Sequence, residues 1–521
     1  MSTLTHPQIG QIKGLSKDDT TQYLGIPYGT LTSRFATAVP PSYPSASPLD
    51  ATQHAPTCLQ PPGTAAMEQG LIQQPLSFTD RSMSDLTSLC LSITVPANTP
   101  ASAKLPVFAF VHGGGFALGS TTWPQYDFAR LVRMSVERGT PMIGVGINYR
   151  VGVPGFLYGK DMGEAGYKPN RGLADQQLAL KWVKKYIGGF GGDGDNVTLG
   201  GESAGGAAVT YHLHQEEALF RRAVPMSGSD LLVKSTPLEV AEGAYQKAVE
   251  LLGLQGSGKE KVAAMEKMEW MEMLGKLGMA VQTGPVVDGE IVKFVTTYES
   301  LTKQPLPGAT WSDLLIGDCT FDGSILGLRI GGKKDGIAGK FVAAVEKTLP
   351  AETAKQLLSI YNISASTDDD TAFILILRFM NDIGFYAPLA AYAANFVAAG
   401  RNAYVYHFNV PNPWDGMWKG EANHILDVAY LFQNYNEKIP SDAGREVAKK
   451  MGATFIDFVV GKAPLEKRTS GGGKAVVFGE DSVQITDDVP TQTGRREAFE
   501  KLGREIGFDA LDKTFGTFLM S

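Results

Sequence analysis

Along the first half of the chain, short apolar runs alternate with glycine turns and with segments of helical period. Val107-Phe108-Ala109-Phe110-Val111 leads into a glycine cluster, and the run at 142–147 leads into Asn148-Tyr149-Arg150. Neither run alternates apolar with polar positions, which fits strands buried on both faces of a largely parallel sheet. At 174–187 the period becomes helical, with Leu178, Trp182 and Val183 on one stripe. Asn196-Val197-Thr198-Leu199 predicts a further strand that runs straight into Gly200-Gly201-Glu202-Ser203, and Leu314-Leu315-Ile316-Gly317 predicts another. Strand, turn and helix in repeated alternation predict an α/β fold with a mostly parallel central sheet. Residues 234–280 and 326–400 are helical in pattern, the second ending in an amphipathic stretch at 373–396. They are expected to be excursions covering one end of the sheet within a single domain over 1–521. The Ser-Gly-Gly-Gly-Lys at 470–474 lacks the leading glycine and trailing Ser/Thr of a phosphate loop and reads as a surface turn.

Composition narrows the functional classes. The 521 residues are 43% hydrophobic and 19% charged with a net charge of −7, which is ordinary globular material without the basic face of a nucleic-acid binder. No apolar run approaches the roughly 18–20 residues that cross a bilayer, so no transmembrane segment is expected. Residues 1–13 lack the charged start, apolar middle and small-residue cleavage site of a signal peptide. The expectation is a cytoplasmic or otherwise intracellular protein, or a secreted one whose leader has been removed. Three widely spaced cysteines, Cys58, Cys90 and Cys319, form no disulfide framework, and seven histidines without H-E-x-x-H argue against a zinc hydrolase. No metal and no cofactor are expected, and the pattern does not report an oligomeric state.

The chemistry-bearing residues lie where strands end. Gly201-Glu202-Ser203-Ala204-Gly205 is a G-x-S-x-G between a predicted strand and a helix, a turn that exposes a serine Oγ in strained backbone. His112-Gly113-Gly114-Gly115-Phe116 follows an earlier strand, where glycines let backbone N–H groups turn inward. The N–H groups of Gly114, Gly115 and Ala204 are the expected oxyanion donors. A serine nucleophile needs a base and an orienting acid, in the chain order Ser, acid, His. Only His407 and His424 lie beyond the helix that Ser203 starts. His407 sits in a strand-like run and reads as packed structure; His424 sits in a polar loop and is the expected base, with an unperturbed pKa near 6.5. Asp318 and Asp322 both follow a strand end, and Asp322-Gly323 is also a common turn pair.

These motifs resemble the type-B carboxylesterase/lipase family, which includes cholinesterases and many fungal and bacterial esterases. The resemblance runs through Gly25-Ile26-Pro27-Tyr28 with Arg34-Phe35, His112-Gly113-Gly114-Gly115-Phe116, Asn148-Tyr149-Arg150 and Asn170-Arg171-Gly172-Leu173-Ala174-Asp175-Gln176. It continues through Phe190-Gly191-Gly192-Asp193, residues 196–206, Pro285-Val286-Val287-Asp288-Gly289 and Asn423-His424 with Asp427. It implies the α/β-hydrolase fold and a carboxylic-ester hydrolase. It selects Asp322, five residues after Gly317, as the acid, where most members carry Glu, and Ser227 as its support. It also implies a Cys58–Cys90 disulfide, a free Cys319, and an Arg34 left without the family's Glu partner. No tryptophan lies between Cys58 and Cys90, so a choline ester is disfavoured.

The expected reaction is therefore attack of Ser203 on a small to medium apolar ester, with His424 taking the proton and Asp322 fixing the imidazole tautomer. Glu202 is expected to be buried beside the nucleophile, either satisfied locally or orienting water. Segments 61–85 and 270–283 are expected to wall the pocket. A lactonase, amidase or acyltransferase acting on a secondary metabolite with the same triad, and a non-catalytic binding or adhesion protein on the same scaffold, are the competing readings.

Overall fold

The computed structural model describes residues 1–43, 47–278, 280–307, 312–488 and 494–521. The apolar runs become the centre of a 13-stranded sheet. Its strands in chain order are β1 (Ser2–His6), β2 (Gly10–Lys17), β3 (Thr20–Pro27), β4 (Leu49–Asp50), β5 (Cys90–Pro96), β6 (Leu105–Val111) and β7 (Ile143–Ile147). They continue as β8 (Gly192–Glu202), β9 (Arg222–Met226), β10 (Asp313–Cys319), β11 (Asn402–Phe408), β12 (Lys474–Phe478) and β13 (Val483–Asp487). The spatial order is β1-β2-β3-β5-β7-β6-β8-β9-β10-β11-β12-β13, with β4 paired to β2. From β7 to β12 every pairing is parallel, and antiparallel strands close both ends.

The parallel strands are fully buried at Ile143–Ile147 and nearly so in β6 and β10, which is why their sequences carry no polar alternation. The register aligns their carboxyl ends: Val111 pairs Gly201, Glu202 pairs Met226, and Cys319 pairs Phe408. Side chains just beyond β6, β8 and β10 therefore emerge at one edge, where open α/β sheets place their ligand sites.

The stripe at 174–187 forms the helix Arg171–Tyr186. Segment 234–280, of which residue 279 lies outside the described residues, folds as helices Leu238–Leu252, Gly258–Lys267 and Trp270–Leu277. They build their own apolar cluster with Phe35, Leu157 and Met162. Segment 326–400 gives Ile337–Thr348, Ala351–Tyr361, Asp369–Asn381 and Ala387–Ala398, the last two joined by a π-helical turn at Asp382–Tyr386. The continuous run Asp369–Ala398 is long and apolar enough by composition to span a bilayer. However, 83% of its most apolar window is buried inside the protein, so its composition reflects the core it fills.

The expected Cys58–Cys90 disulfide is not formed: Cys58, Cys90 and Cys319 are all buried free thiols. Cys58 Sγ points to Ser88 O and Cys90 Sγ turns back to Thr87 O, 3.5 Å away, so the two sulfurs are aimed at different carbonyls. Burial pushes both thiols up to about 12, which leaves them protonated and unreactive. Arg34 finds other partners, bonding Asp85 Oδ2 at 3.2 Å and the carbonyls of Met265 and Met268.

Candidate active site

Ser203 sits between β8 and the helix Ala204–Leu213 with φ 57° and ψ −121°, a strained conformation held by close backbone packing. A Cβ on Gly228 would lie 1.9 Å from Ser203 O, and one on Gly205 would lie 2.1 Å from Val111 O. Neither position has room for a side chain, so the local sequence is dictated by geometry. Ser203 N–H donates to Met226 O at 3.0 Å, tying the turn to β9.

The His112-Gly-Gly-Gly loop lies against this turn. A Cβ on Gly113 would meet Glu202 Oε2 at 2.8 Å and Ser203 Cβ at 3.1 Å, whereas Gly115, at φ +63°, opens into free space. Ala204 is the first residue of its helix, so its N–H has no intrahelical acceptor. His112 is held by Tyr149, whose ring stacks on the imidazole at 4.4 Å and whose hydroxyl donates to His112 O.

Asp322 and His424, 102 residues apart, meet through a 2.7 Å hydrogen bond between Nδ1 and Oδ1. The shorter Asp reaches because the two loops are sewn together. Phe321 N–H donates to Ala422 O at 2.9 Å, and His424 N–H donates to Ser324 Oγ at 3.1 Å. Asp322 Oδ2 accepts the Cys319 N–H at 2.8 Å. Burial and the nearby Asp318 push the Asp322 carboxyl up, opposed by hydrogen bonds from Ser227 and the Cys319 N–H and by the Arg496 charge. Ser227 is 1% exposed and its Oγ also accepts the Cys319 N–H. Burial drives His424 down to about 4, well below the unperturbed value, so the resting imidazole is neutral. Its Nε2 makes no hydrogen bond, to Ser203 or to Glu202, although Glu202 Oε1 lies 3.1 Å away.

His407 is the packed histidine of β11: Nδ1 bonds Asp318 Oδ1 at 2.6 Å and Nε2 bonds Asp488 Oδ1 at 2.9 Å. The two aspartates raise it to about 9 against the burial that opposes them. Asp318 is thereby occupied elsewhere.

Sequence reasoning missed two neighbours. Phe385, on the π-helical turn, brings its ring to 5.4 Å from His424; no periodicity marks such a turn in advance. Glu68, on helix Thr64–Ile72 within the expected pocket wall, is 3% exposed and accepts from Tyr126 OH at 2.7 Å and Gln125 Nε2 at 2.8 Å. Burial pushes Glu68 up to about 7 from 4.5, the hydrogen bonds from Tyr126 and Gln125 easing the shift. Burial, Asp427 and then Glu68 likewise push Glu202 up, and burial and Asp322 bring Asp427 to about 7.

Because its folded-state value stands above its free one, Glu68 supports folding fully only below pH 4.5, and this contribution is lost as pH rises through 7. Glu68→Gln keeps an acceptor for both donors. Relative to wild type it is expected to gain roughly 3 kcal/mol between pH 4 and pH 8. Paired thermal melts across that range measure the gain, and a difference independent of pH overturns the assignment.

A model of the carboxylesterase family matches residues 2–479. Para-nitrobenzyl esterase of Bacillus subtilis (strain 168) is 29% identical over 446 residues, 82% of each chain. Lipase 3 of Yarrowia lipolytica (strain CLIB 122 / E 150) is 28% identical over 468 residues, 86% of each chain. In structure the chain is similar to a PNB esterase, with TM-score 0.76 and 24% identity over 95% of this chain and 99% of the other. It is also similar to a Geobacillus stearothermophilus carboxylesterase, with TM-score 0.76 and 25% identity over 96% and 99%.

Proposed function

Because this chain belongs to the carboxylesterase family and is a carboxylesterase, we propose that it cleaves small to medium apolar esters through an acyl-enzyme on Ser203. Ser203 Oγ attacks the ester carbonyl carbon while His424 Nε2 takes the hydroxyl proton. The carbonyl oxygen becomes an oxyanion held by the N–H groups of Gly114, Gly115 and Ala204, each such donor contributing roughly 2.7–4 kcal/mol to the transition state. As the C–O bond breaks, imidazolium returns its proton to the departing alcohol. Water then enters, loses a proton to His424, and releases the carboxylic acid and free Ser203.

The observation that carries this reading is the buried 2.7 Å Asp322–His424 bond beside the strained Ser203 turn, with His424 Nε2 free of any hydrogen bond. That nitrogen is the one that must accept the serine proton. The apolar preference is supported by the Phe385 ring packed 5.4 Å from His424.

The test is mixing with p-nitrophenyl acetate, butyrate and octanoate, together with a fluorophosphonate that phosphonylates activated serines. Steady hydrolysis of at least one ester, and a single adduct mapped by peptide mass to Ser203, are expected. An adduct on another residue, or no turnover of any of the three esters, overturns the proposal.

A further inference from the structure

Arg496 belongs to helix Arg495–Ile506, beyond residue 479 where the family match ends, yet it is fully buried against the loop that carries Asp322. Its Nη2 donates to Asp318 Oδ2 at 2.8 Å, 178 residues earlier, and to Thr320 O at 3.5 Å. These are the strand end and the turn immediately before Asp322. Its Nε donates to Asp382 Oδ1 at 3.3 Å. The residue next to Asp382, Asn381, accepts the Gly323 N–H through Oδ1 at 2.9 Å, immediately after Asp322. One planar guanidinium therefore ties the first flank of the six-residue turn at 318–323 to Asp382, whose neighbour Asn381 holds the second flank. Its face packs 4.5 Å from the Tyr386 ring centroid, fixing the plane.

We propose that Arg496 is a positioning residue for the Asp322 carboxylate, holding the turn in the place that lets this short acid meet His424. The inference rests on the reading of Asp322 as the acid of the triad. A guanidinium suits the task because its fork is rigid and bonds in two directions at once, whereas an ammonium is a single point charge on a flexible stem. Arg496 touches no reacting atom. Its loss leaves the pocket in place and moves the acid, so it acts on kcat rather than on KM.

The experiment measures kcat and KM for p-nitrophenyl butyrate in Arg496→Lys, Arg496→Met and Asp322→Ala, and in Asp322→Ala combined with each Arg496 change. Thermal melts establish the folded fraction to which rates are normalised. Arg496→Lys keeps a positive charge against Asp318 and Asp382, so it remains the informative variant if Arg496→Met fails to fold. In otherwise wild-type protein, Arg496→Lys is expected to lower kcat about 5–20-fold and Arg496→Met about 30–100-fold, with KM within about twofold. In the Asp322→Ala background the same changes are expected to alter kcat less than about twofold, because the group they position is gone.

Wild-type kcat in Arg496→Lys overturns the proposal. So does an equal fold-loss in both backgrounds, which marks Arg496 as general packing. Wild-type kcat in the Asp322→Ala single variant instead withdraws the role of Asp322, and is read without any Arg496 change.

Discussion

Ser203→Ala is expected to lower kcat for p-nitrophenyl butyrate by about 10⁵–10⁶-fold while leaving the melting temperature nearly unchanged. The size of the loss follows from removing the group proposed to form the acyl bond. What remains is binding and the oxyanion stabilisation proposed for Gly114, Gly115 and Ala204, worth about 10³–10⁴ over water. The small effect on folding follows from the backbone. Alanine at φ 57° is no more strained than serine there, and the packing of Gly228 and Gly205 against this turn involves main-chain atoms. A stopped-flow assay at high enzyme concentration reads the residual rate. An alanine variant as fast as wild type removes Ser203 from the mechanism.

Asp322→Asn is expected to cost about 10⁴-fold in kcat with little change in KM. Asp322 Oδ2 accepts the Cys319 N–H, so an asparagine keeps its oxygen there and turns its NH₂ toward His424 Nδ1. The imidazole must then accept at Nδ1 and carry its proton on Nε2, the nitrogen that has to receive the Ser203 proton. Glu202 Oε1, 3.1 Å from Nε2, is placed to stabilise that wrong tautomer. Glu202 cannot substitute for Asp322, since it faces the other ring nitrogen. Asp318 is bonded to His407 and Arg496 and is equally unable to take over. Steady-state kinetics settle the matter, and a loss below about tenfold means the acid is elsewhere.

How far each residue could be read in advance depends on how local its constraint is. Ser203 and its glycines are visible because Gly201 and Gly205 admit no Cβ, so the chain spells the turn out in consecutive residues. β6, β7 and β10 are visible because burial on both faces leaves unbroken apolar runs. His424 could be separated from His407 by setting alone, a polar loop against a strand, and the two histidines do differ in that way. Asp322 needed a family pattern, since Asp318 at the end of β10 and Asp322 just beyond it are both carboxylates beside a histidine and are told apart only by which histidine they meet. Arg496, Phe385 and Glu68 carried no local signal. Each reaches the site across a long stretch of chain, from a helix or π-helical turn whose own periodicity reports only its packing. The cysteines show the reverse error. The family resemblance implied a bridge, but the path of residues 87–90 turns Cys90 Sγ back on the Thr87 carbonyl, a detail that the resemblance does not contain.

Parallel pairing between distant strands has a consequence for a chain made from one end. β10 pairs β9 on one side and β11 on the other, and His424 follows Asp322 by 102 residues. At about 5–20 residues per second, roughly 5–20 seconds of synthesis separate the acid from its base. For most of that interval, until residues 402–408 follow, Asp313–Cys319, buried along nearly its whole length in the finished protein, lacks its β11 partner and presents an open apolar edge on the ribosome. A nascent chain in this state is both inactive and prone to pair with the wrong strand, so the yield of active enzyme is set by whatever shields that edge until residues 402–408 emerge.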